Sequence, residues 1–147
     1  MTEAERVRQV LTAIFRRRGG EGRYTRLFEN LPAAQQAELR NEASVGAGEL
    51  PVIGSVQASE RWLLITTERI VWREKSSVHS VPVEQVHHVD PEGFNARWKT
   101  EMGTLRIETV GHETHIVSVE PGAPLCGIWN VLRNLEARNQ AKQGSAG

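Results

Sequence analysis

The chain has few residues whose chemistry could drive catalysis. Cys126 is its only cysteine, and it lies where the last helix is predicted to begin, a position that can activate a thiol as a nucleophile. Its neighbours Leu125, Ile128 and Trp129 are apolar, however, and a small thiol among such residues is more often part of a core. The only aspartate, Asp90, has no spacing to serine and histidine that is typical of a nucleophilic triad. We therefore predict that the chain is not an enzyme.

Five histidines raise the question of a metal site. His87 and His88 are adjacent and His112 and His115 are three residues apart, so the members of each pair point to opposite faces if the chain is extended there. A zinc site needs three or four converging ligands, and one cysteine cannot form a cysteine-based site. The glycines of Gly46–Gly48 lie between a predicted helix and a strand, the reverse of the order in a dinucleotide-binding loop. We expect neither a metal nor another cofactor.

Arginines are concentrated near the N terminus, in a segment that could contact phosphates or other anions. The segment also contains Glu21 and Glu29, and the whole chain balances 18 basic against 18 acidic side chains. A solvated helix end is the favoured interpretation, and we do not expect the chain to bind nucleic acid. The candidates for an anionic contact are Arg16, Arg17, Arg18, Arg23 and Arg26.

Three tryptophans of the predicted sheet, Trp62, Trp72 and Trp98, are candidates for a protein interface. Trp62 would leave the core if it faced opposite to Leu63 and Ile65, and exposed aromatic side chains favour protein contacts. Tryptophan is usually buried at least in part, so the alternative is that the N-terminal helices cover Trp62. The sequence favours this second alternative slightly.

The composition is that of a globular chain. Its 147 residues suit one domain with a small appendage, and 39% of them are hydrophobic, which is enough for a single core. No run of about 20 apolar residues predicts a membrane span. The first ten residues include acids and have no uninterrupted apolar stretch, unlike a signal peptide. The location expected by default is the cytoplasm.

Residues 1–48 are predicted to form a helical appendage with two helical regions. The apolar spacing of residues 7–15 predicts the first helix, and Thr2 and Glu5 have the spacing of a capping box at its start. Apolar side chains at helical spacing and then good helix formers predict the second region over residues 24–43.

From Leu50 the apolar period changes from 3.6 residues to about two, which predicts short β-strands. Asp90–Gly93 is a strong turn signal, and Gly111-His112 suits a two-residue hairpin turn with glycine first. The predicted strands are Leu50–Gln57, Arg61–Thr66, Arg69–Arg73, Val78–Val83 with a continuation over Val86–Val89, Ala96–Thr100, Thr104–Val110 and Glu113–Glu120.

A last helix is predicted after the Pro121–Pro124 break. Its apolar side chains form a stripe that must be buried against another element. The residues from Asn139 to Gly147 are polar and small and are predicted to be a flexible tail. The stripe consists of Leu125, Ile128, Trp129, Leu132 and Leu135.

Six or seven antiparallel strands followed by one helix resemble the element order of pleckstrin-homology (PH) domains. Residues Trp62–Trp72 resemble a strand–turn–strand of bacterial PH-like and GRAM-like domains, in which a threonine and an arginine, here Thr66 and Arg69, frame a tight turn. The resemblance covers about residues 49–138. It implies an α+β fold, a PH-like antiparallel β-barrel or orthogonal sandwich of about seven strands capped by the C-terminal helix. The N-terminal helical pair and residues 139–147 lie outside this domain.

Phosphoinositide-binding PH domains use a basic cluster at the first β-hairpin. Here that loop, Gln57–Arg61, has one basic and one acidic residue, and the next loop, Arg73–Ser77, is hardly more basic. Phosphoinositide binding is therefore not expected. The predicted function is a non-enzymatic protein-interaction or scaffold module that binds a protein partner or a second copy of the chain. Lipid or membrane-surface binding, and inhibition of a toxin as an immunity-type protein, are alternatives that the sequence leaves open.

Overall fold

The computed structural model describes residues 1–92 and 103–146, and within them helices and strands form an α+β arrangement. None of these helices combines the length and the apolar character that crossing a membrane requires. In chain order the elements are α1 (Glu3–Arg18), β1 (Thr25–Leu27), α2 (Ala33–Glu42), β2 (Pro51–Ala58), β3 (Arg61–Thr66), β4 (Arg69–Glu74), β5 (Ser77–Pro82), β6 (Val86–Glu92), β7 (Gly103–Thr109), β8 (Thr114–Val119) and α3 (Ala123–Ala146).

The strands form two antiparallel sheets. One has five strands in the order β1-β2-β3-β4-β5, and the other has three in the order β6-β7-β8. The bounds of β2, β3, β4, β5, β7 and β8 agree with the predicted strands to within one residue at each end. The α+β class, the antiparallel sheets and the C-terminal helix are confirmed. The described strands do not close into a barrel, so that part of the prediction is not supported.

The main core contains side chains from both sheets together with those of α1 and α3. The stripe predicted for the last helix is buried here: Leu125, Ile128, Leu132 and Leu135 are at most 5% exposed, and Trp129 packs against the cluster while partly buried. Each fully buried side chain of this size stabilises the fold by about 1.5–3 kcal/mol. The stripe therefore fixes α3 to the sheets.

Helix α1 packs against α3 and begins as predicted. Thr2 and Glu5 form the capping box, and Phe15 has no exposed surface. At the end of α1, a Cβ built on Gly19 would lie 2.3 Å from the backbone nitrogen of Gly127 in α3. The two backbones thus approach so closely that only glycine fits at this crossing.

The second helical region differs from its prediction. Residues 25–27 form β1 and pair with β2, and a 3-10 turn over Phe28–Asn30 follows. The helical spacing of the apolar residues is misleading because these residues are buried in two different cores. Leu27 belongs to the main core, whereas Phe28 and Leu31 lie on the other face of the five-stranded sheet.

That other face carries a second, smaller core. Because side chains alternate along a strand, Leu63 and Ile65 of β3 face the main core while Trp62 and Leu64 face this one. Residues 1–48 therefore pack against both faces of the sheet, α1 on one and α2 on the other. The second core comprises Phe28, Leu31, Leu39, Ala43, Trp62, Leu64 and Val71.

Strand β6 runs through residues 90–92, where the sequence predicts a turn. It belongs to the second sheet and does not continue β5. Pro91 pairs with Leu105 in β7, and an edge strand tolerates proline because the missing N–H can lie on the free side. Gly93 and the predicted strand Ala96–Thr100 lie outside the described residues.

The turn between β7 and β8 is built differently from the prediction. His112, and not Gly111, has a left-handed φ of 66°. The N–H of His112 donates to the carbonyl oxygen of Thr109 over 2.9 Å, and the N–H of Thr109 donates to that of Glu113 over 2.8 Å. This is the three-residue hairpin loop whose last residue is left-handed.

The predicted flexible tail is helical as far as Ala146, because α3 continues past residue 138. Asn139 is 8% exposed. Its side-chain amide donates to the carbonyl oxygens of Val83 and Val86, each over 2.8 Å. Asn139, which the sequence analysis assigns to a flexible tail, thus holds α3 against β6.

Candidate functional site

Trp62 and Trp72 do not form an exposed surface. Trp62 and Trp72 are each 4% exposed, and Trp98 lies outside the described residues. Trp62 shares the second core with Leu39 of α2. The alternative in which the N-terminal helices cover Trp62 is therefore the one that the structure has. Trp62 and Trp72 therefore do not provide the exposed aromatic surface on which the predicted interface depends.

The five arginines predicted as an anionic contact do not lie together. Arg16 lines a groove between α1 and α2. Arg23 and Arg26 line a different groove, of about 390 Å³, beside β1 and the start of α2. Arg17 and Arg18 are exposed at the end of α1. The structure therefore divides the predicted cluster into separate surfaces.

We call the cleft between α1 and α2 the basic groove. Its volume is about 400 Å³. Buried residues line part of it, namely Leu27, Phe28, Pro51 and Val52. The other residues that line it are Arg8, Gln9, Thr12, Ala13 and Arg16 from α1, Glu29, and Gln36 and Arg40 from α2.

Helical spacing places the polar residues of the basic groove in rows. Arg8, Thr12 and Arg16 recur every four residues on α1, and Gln36 and Arg40 do so on α2. Residues four apart lie on the same side of a helix, so each helix presents one row to the cleft. The sequence analysis missed Arg8 and Arg40, although this spacing was the signal that could have found them.

The basic groove holds positive charge that the protein itself barely neutralises. Arg16 lies 3.8 Å from the carboxylate of Glu29, but the two side chains are 63% and 72% exposed, and such pairs contribute little. The guanidinium of Arg40 lies 5.2 Å from the centre of the Phe28 ring. Within the described residues Arg8 forms no ion pair. Three arginines thus face one carboxylate.

The Gln57–Arg61 and Arg73–Ser77 loops lie next to each other. Gln57, Ala58, Glu60 and Arg61 line a cavity of about 280 Å³ together with Lys75 of the next hairpin. The cavity has two cations and one acid, without the buried apolar lining of the basic groove. It is the weaker candidate for an anionic ligand.

Glu120, which directly follows β8, is a buried carboxylate that binds the N-terminal segment. It accepts hydrogen bonds from three consecutive N–H groups, those of Arg23 at 2.9 Å, Tyr24 at 2.5 Å and Thr25 at 3.1 Å. It is 7% exposed. These hydrogen bonds fix the position of the chain where β1 begins. No sequence pattern predicts them.

Glu49, just before β2, is the second buried carboxylate, 3% exposed. It accepts from Nε and Nη2 of Arg69, 2.9 Å each, and from the hydroxyl of Thr66 at 2.5 Å. Burial raises the pKa of Glu49, but the hydrogen bonds from Arg69, Thr66 and the N–H of Gly46 outweigh it and lower the pKa below its ordinary value. Thr66 and Arg69 frame the β3–β4 turn and also bind this acid.

His88 on β6 bridges two elements. Its Nδ1 lies 3.0 Å from Glu136 of α3 and its Nε2 lies 2.6 Å from Asp90. The hydrogen bond with Glu136 is the largest cause that raises the pKa of His88, desolvation opposes it, and Asp90 adds to the rise. His88, Asp90 and Glu136 thus connect α3 to β6 at the surface of the protein.

The remaining cysteine and histidine side chains of the described ranges do not form a reactive cluster. The described ranges 1–92 and 103–146 do not place three or more histidine, cysteine or acidic side chains where they could hold a metal ion. Cys126 is half-buried in the first turn of α3. His115 is half-buried and its ring contacts Trp72 edge-on, at 5.5 Å between centres.

Comparison of the chain with protein-family models, with curated proteins and with solved structures finds no match in any of the three.

Proposed function

We propose that the chain is a non-enzymatic protein-interaction module that binds an acidic segment of a protein partner in the basic groove. The observation that carries this proposal is the pairing of an apolar lining with three arginines and a single carboxylate in one cleft of about 400 Å³. Complementary charge selects the partner and accelerates its association.

The two kinds of lining residue have separate tasks. Arg8 on α1 and Arg40 on α2 supply guanidinium donors, which bind carboxylates through two parallel hydrogen bonds. Arginine is also enriched in protein interfaces, where lysine and acids are depleted. Leu27 and Val52 offer contact surface for an apolar side chain of the bound segment. An acidic segment with interspersed apolar residues fits both tasks.

We further propose that the scaffold is PH-like. In support, β2–β5 follow one another as an antiparallel four-stranded unit, the three-stranded sheet comes next, and α3 packs last against the core. This is the element order that the resemblance implies, with α1, β1 and α2 as additions. The basic groove involves those additions, away from the Gln57–Arg61 loop that lipid-binding PH domains use.

Fluorescence anisotropy with a labelled peptide of alternating glutamate and leucine tests the proposal. The variant with Arg8→Glu and Arg40→Glu is compared with the variant with Arg17→Glu and Arg18→Glu, which changes the net charge equally on the exposed end of α1. A hydrogen bond to a charged group contributes about 1.5–3 kcal/mol, so the first variant should bind at least about tenfold more weakly. The control should retain most of the affinity.

Equal weakening by the two variants would mean that the peptide responds to overall charge, and absence of binding to the wild type would contradict the proposal directly. Sedimentation with phosphatidylserine vesicles addresses the lipid alternative. Pelleting that is abolished by Arg61→Glu with Lys75→Glu, without peptide binding, would favour a membrane-binding role.

A further inference from the structure

The free edges of the two sheets differ in how they are covered. Strands β1 and β5 form the edges of the five-stranded sheet, and β6 and β8 those of the three-stranded sheet. The outer side of an edge strand presents N–H and C=O groups that can pair with another strand. Where these groups already have partners, a further strand cannot add.

The β1 edge is covered by hydrogen bonds from within the chain. Glu120 accepts the N–H of Thr25 at 3.1 Å, and the N–H of Gly22 donates to the carbonyl oxygen of Thr25 over 2.9 Å. The next outward N–H, that of Leu27, donates to Glu21 over 3.0 Å. This edge is closed to other strands.

The β6 edge is covered by α3. The indole N–H of Trp129 donates to the carbonyl oxygen of Val89 over 3.3 Å, and Asn139 donates to that of Val86 over 2.8 Å. Strand β8 in turn lies against the first sheet at Ser118, whose hydroxyl donates to Glu74 over 3.2 Å. The β6 edge is thus engaged with α3, whereas β8 contacts the first sheet only near its end, through the Ser118 side chain.

Among the described residues, no hydrogen bond from another element covers the outer side of β5. From Ser76 to Val83 the chain has no charged side chain, and Val78 is 50% exposed. Monomeric proteins usually protect an edge of this kind with lysine, a bulge or proline, and β5 has only Pro82, at its end. Lys75 and Glu84 flank the uncharged run, one at each end.

The pairing of β5 with β4 defines which backbone groups are free. Beyond the end of β5, the N–H of Val83 donates to the carbonyl oxygen of Glu68 on the β4 side. Since the direction of the backbone groups alternates along an antiparallel strand, those of Val78, Ser80 and Pro82 point outward. Within the described residues, the outward groups of Val78 and Ser80 have no hydrogen-bond partner.

We propose that a second copy of this chain pairs with β5 across a two-fold axis at His79, so that two five-stranded sheets join into one of ten strands. In this register Val78 opposes Ser80 of the other copy. The outward N–H and C=O groups of these two residues, four on each strand, then all form hydrogen bonds between the copies. Shifting the axis to Ser80 would place Pro82, which has no N–H, opposite Val78. Shifting it to Val78 would leave Ser80 opposite the turn at Ser76.

The flanking charges fit the same register. Lys75 in the turn before β5 and Glu84 in the 3-10 turn after it come, from opposite copies, to the same end of the joined strands, and the symmetry repeats this meeting of opposite charges at the other end. The uncharged run between them brings no like charges together. The surface is separate from the basic groove, so the inference stands independently of the proposed function.

Molar mass measured by light scattering over a concentration series tests the dimer. The wild type should be dimeric, and Ser80→Pro should halve the mass, because the N–H that it removes points away from β4. Ile116→Lys is the matched control: it alters the exposed apolar residue of the β8 edge and should leave the dimer intact. If Ser80→Pro unfolds the protein, Val78→Lys replaces it.

Crosslinking tests the register in a Cys126→Ser background. His79→Cys should form a disulfide between copies, because residues on the axis oppose each other directly, whereas Ser77→Cys should not. A monomeric wild type, a dimer that persists in Ser80→Pro and Val78→Lys, or a dimer lost in Ile116→Lys would overturn the proposal. So would a disulfide through residue 77 and none through residue 79.

Discussion

The two buried carboxylates and the arginines of the basic groove use charge in opposite ways. Glu120 and Glu49 are at most 7% exposed and are surrounded by donors from the protein itself. Arg8, Arg16 and Arg40 are exposed, and within the described residues only Arg16 has an ion-pair partner, Glu29. The buried carboxylates are thus paired with donors of the fold, whereas the groove arginines are barely neutralised by the described residues.

The carboxylates connect parts of the chain that are far apart in sequence. Glu120 binds N–H groups 95–97 residues away, and Glu49 joins the end of the N-terminal segment to the β3–β4 turn. They thereby hold α1 and α2 where the basic groove forms. The comparison leads to a clear expectation: changes at the acids should affect stability, and changes at the arginines should affect binding.

The largest effect is expected for Glu120→Ala. The substitution leaves three N–H groups without their acceptor, and each buried donor left unsatisfied costs about 1–3 kcal/mol. Because water can reach part of this segment, we expect a loss of about 3 kcal/mol in the free energy of unfolding, measured with urea. Glu113→Ala, at an exposed acid before β8, is the control and should change it by less than about 0.5 kcal/mol.

A smaller loss is expected for Glu49→Gln. The variant replaces one acceptor oxygen by an NH2 group, which cannot accept from Arg69, and removes the negative charge next to the guanidinium. Breaking a fully buried pair costs about 3–5 kcal/mol, and Arg69 is 26% exposed, so we expect about 2 kcal/mol. A loss as small as that of the Glu113→Ala control would show that Glu49 does not hold the segment.

The same acid should produce a pH dependence. Because the pKa of Glu49 in the folded state lies below its ordinary value of 4.5, its ionised form stabilises the fold above that pH. This contribution should be lost as the pH falls from 4.5 through the folded-state pKa. The difference in stability between the wild type and Glu49→Gln should therefore shrink below pH 4.5 and stay constant from there to neutral pH.

His88 should have the opposite and weaker dependence. Its pKa is raised above the ordinary value of 6.5, so the stabilisation by Glu136 and Asp90 is fully present below pH 6.5 and is lost as the pH rises through the folded-state pKa. The side chain is 49% exposed and solvent screens the pair, so we expect less than about 0.5 kcal/mol. Urea unfolding of His88→Gln between pH 5 and 8 measures it, and destabilisation that grows with pH would contradict the assignment.

The smallest effect on stability is expected for the groove arginines. Arg8→Glu combined with Arg40→Glu should change the free energy of unfolding by less than about 0.5 kcal/mol, because both side chains are exposed. Thermal unfolding monitored by circular dichroism checks this. A large drop in the midpoint would place these arginines with the structural charges and would remove the distinction between the two groups.

The sequence was most informative where one physical signal dominates. Alternating apolar residues predict β7 and β8, and the stripe from Leu125 to Leu135 predicts the buried face of α3. The pattern failed over residues 24–31, since Leu27 and Phe28 are buried in different cores and a single helical face cannot describe them. Local periodicity cannot reveal which of two surfaces will cover a residue.

The site was harder to predict than the fold because its residues come together only in three dimensions. Arg16 was a candidate from the start, but its groove neighbours Arg8 and Arg40 lie on two helices and outside the run of consecutive arginines. Glu120 accepts hydrogen bonds from N–H groups that are 95–97 residues away in the sequence, and no local pattern predicts such a contact. Trp62 was ambiguous because its exposure depends on where α2 packs.

The central claim is that the basic groove is the binding surface, and mapping of amide chemical shifts by NMR tests it most directly. The full chain is titrated with the peptide of alternating glutamate and leucine. We expect the largest shifts at Arg8, Thr12 and Arg16 of α1 and at Gln36 and Arg40 of α2, with none at the Gln57–Arg61 loop. Shifts centred on Arg23 and Arg26, on that loop, or spread evenly over the exposed arginines would contradict the account.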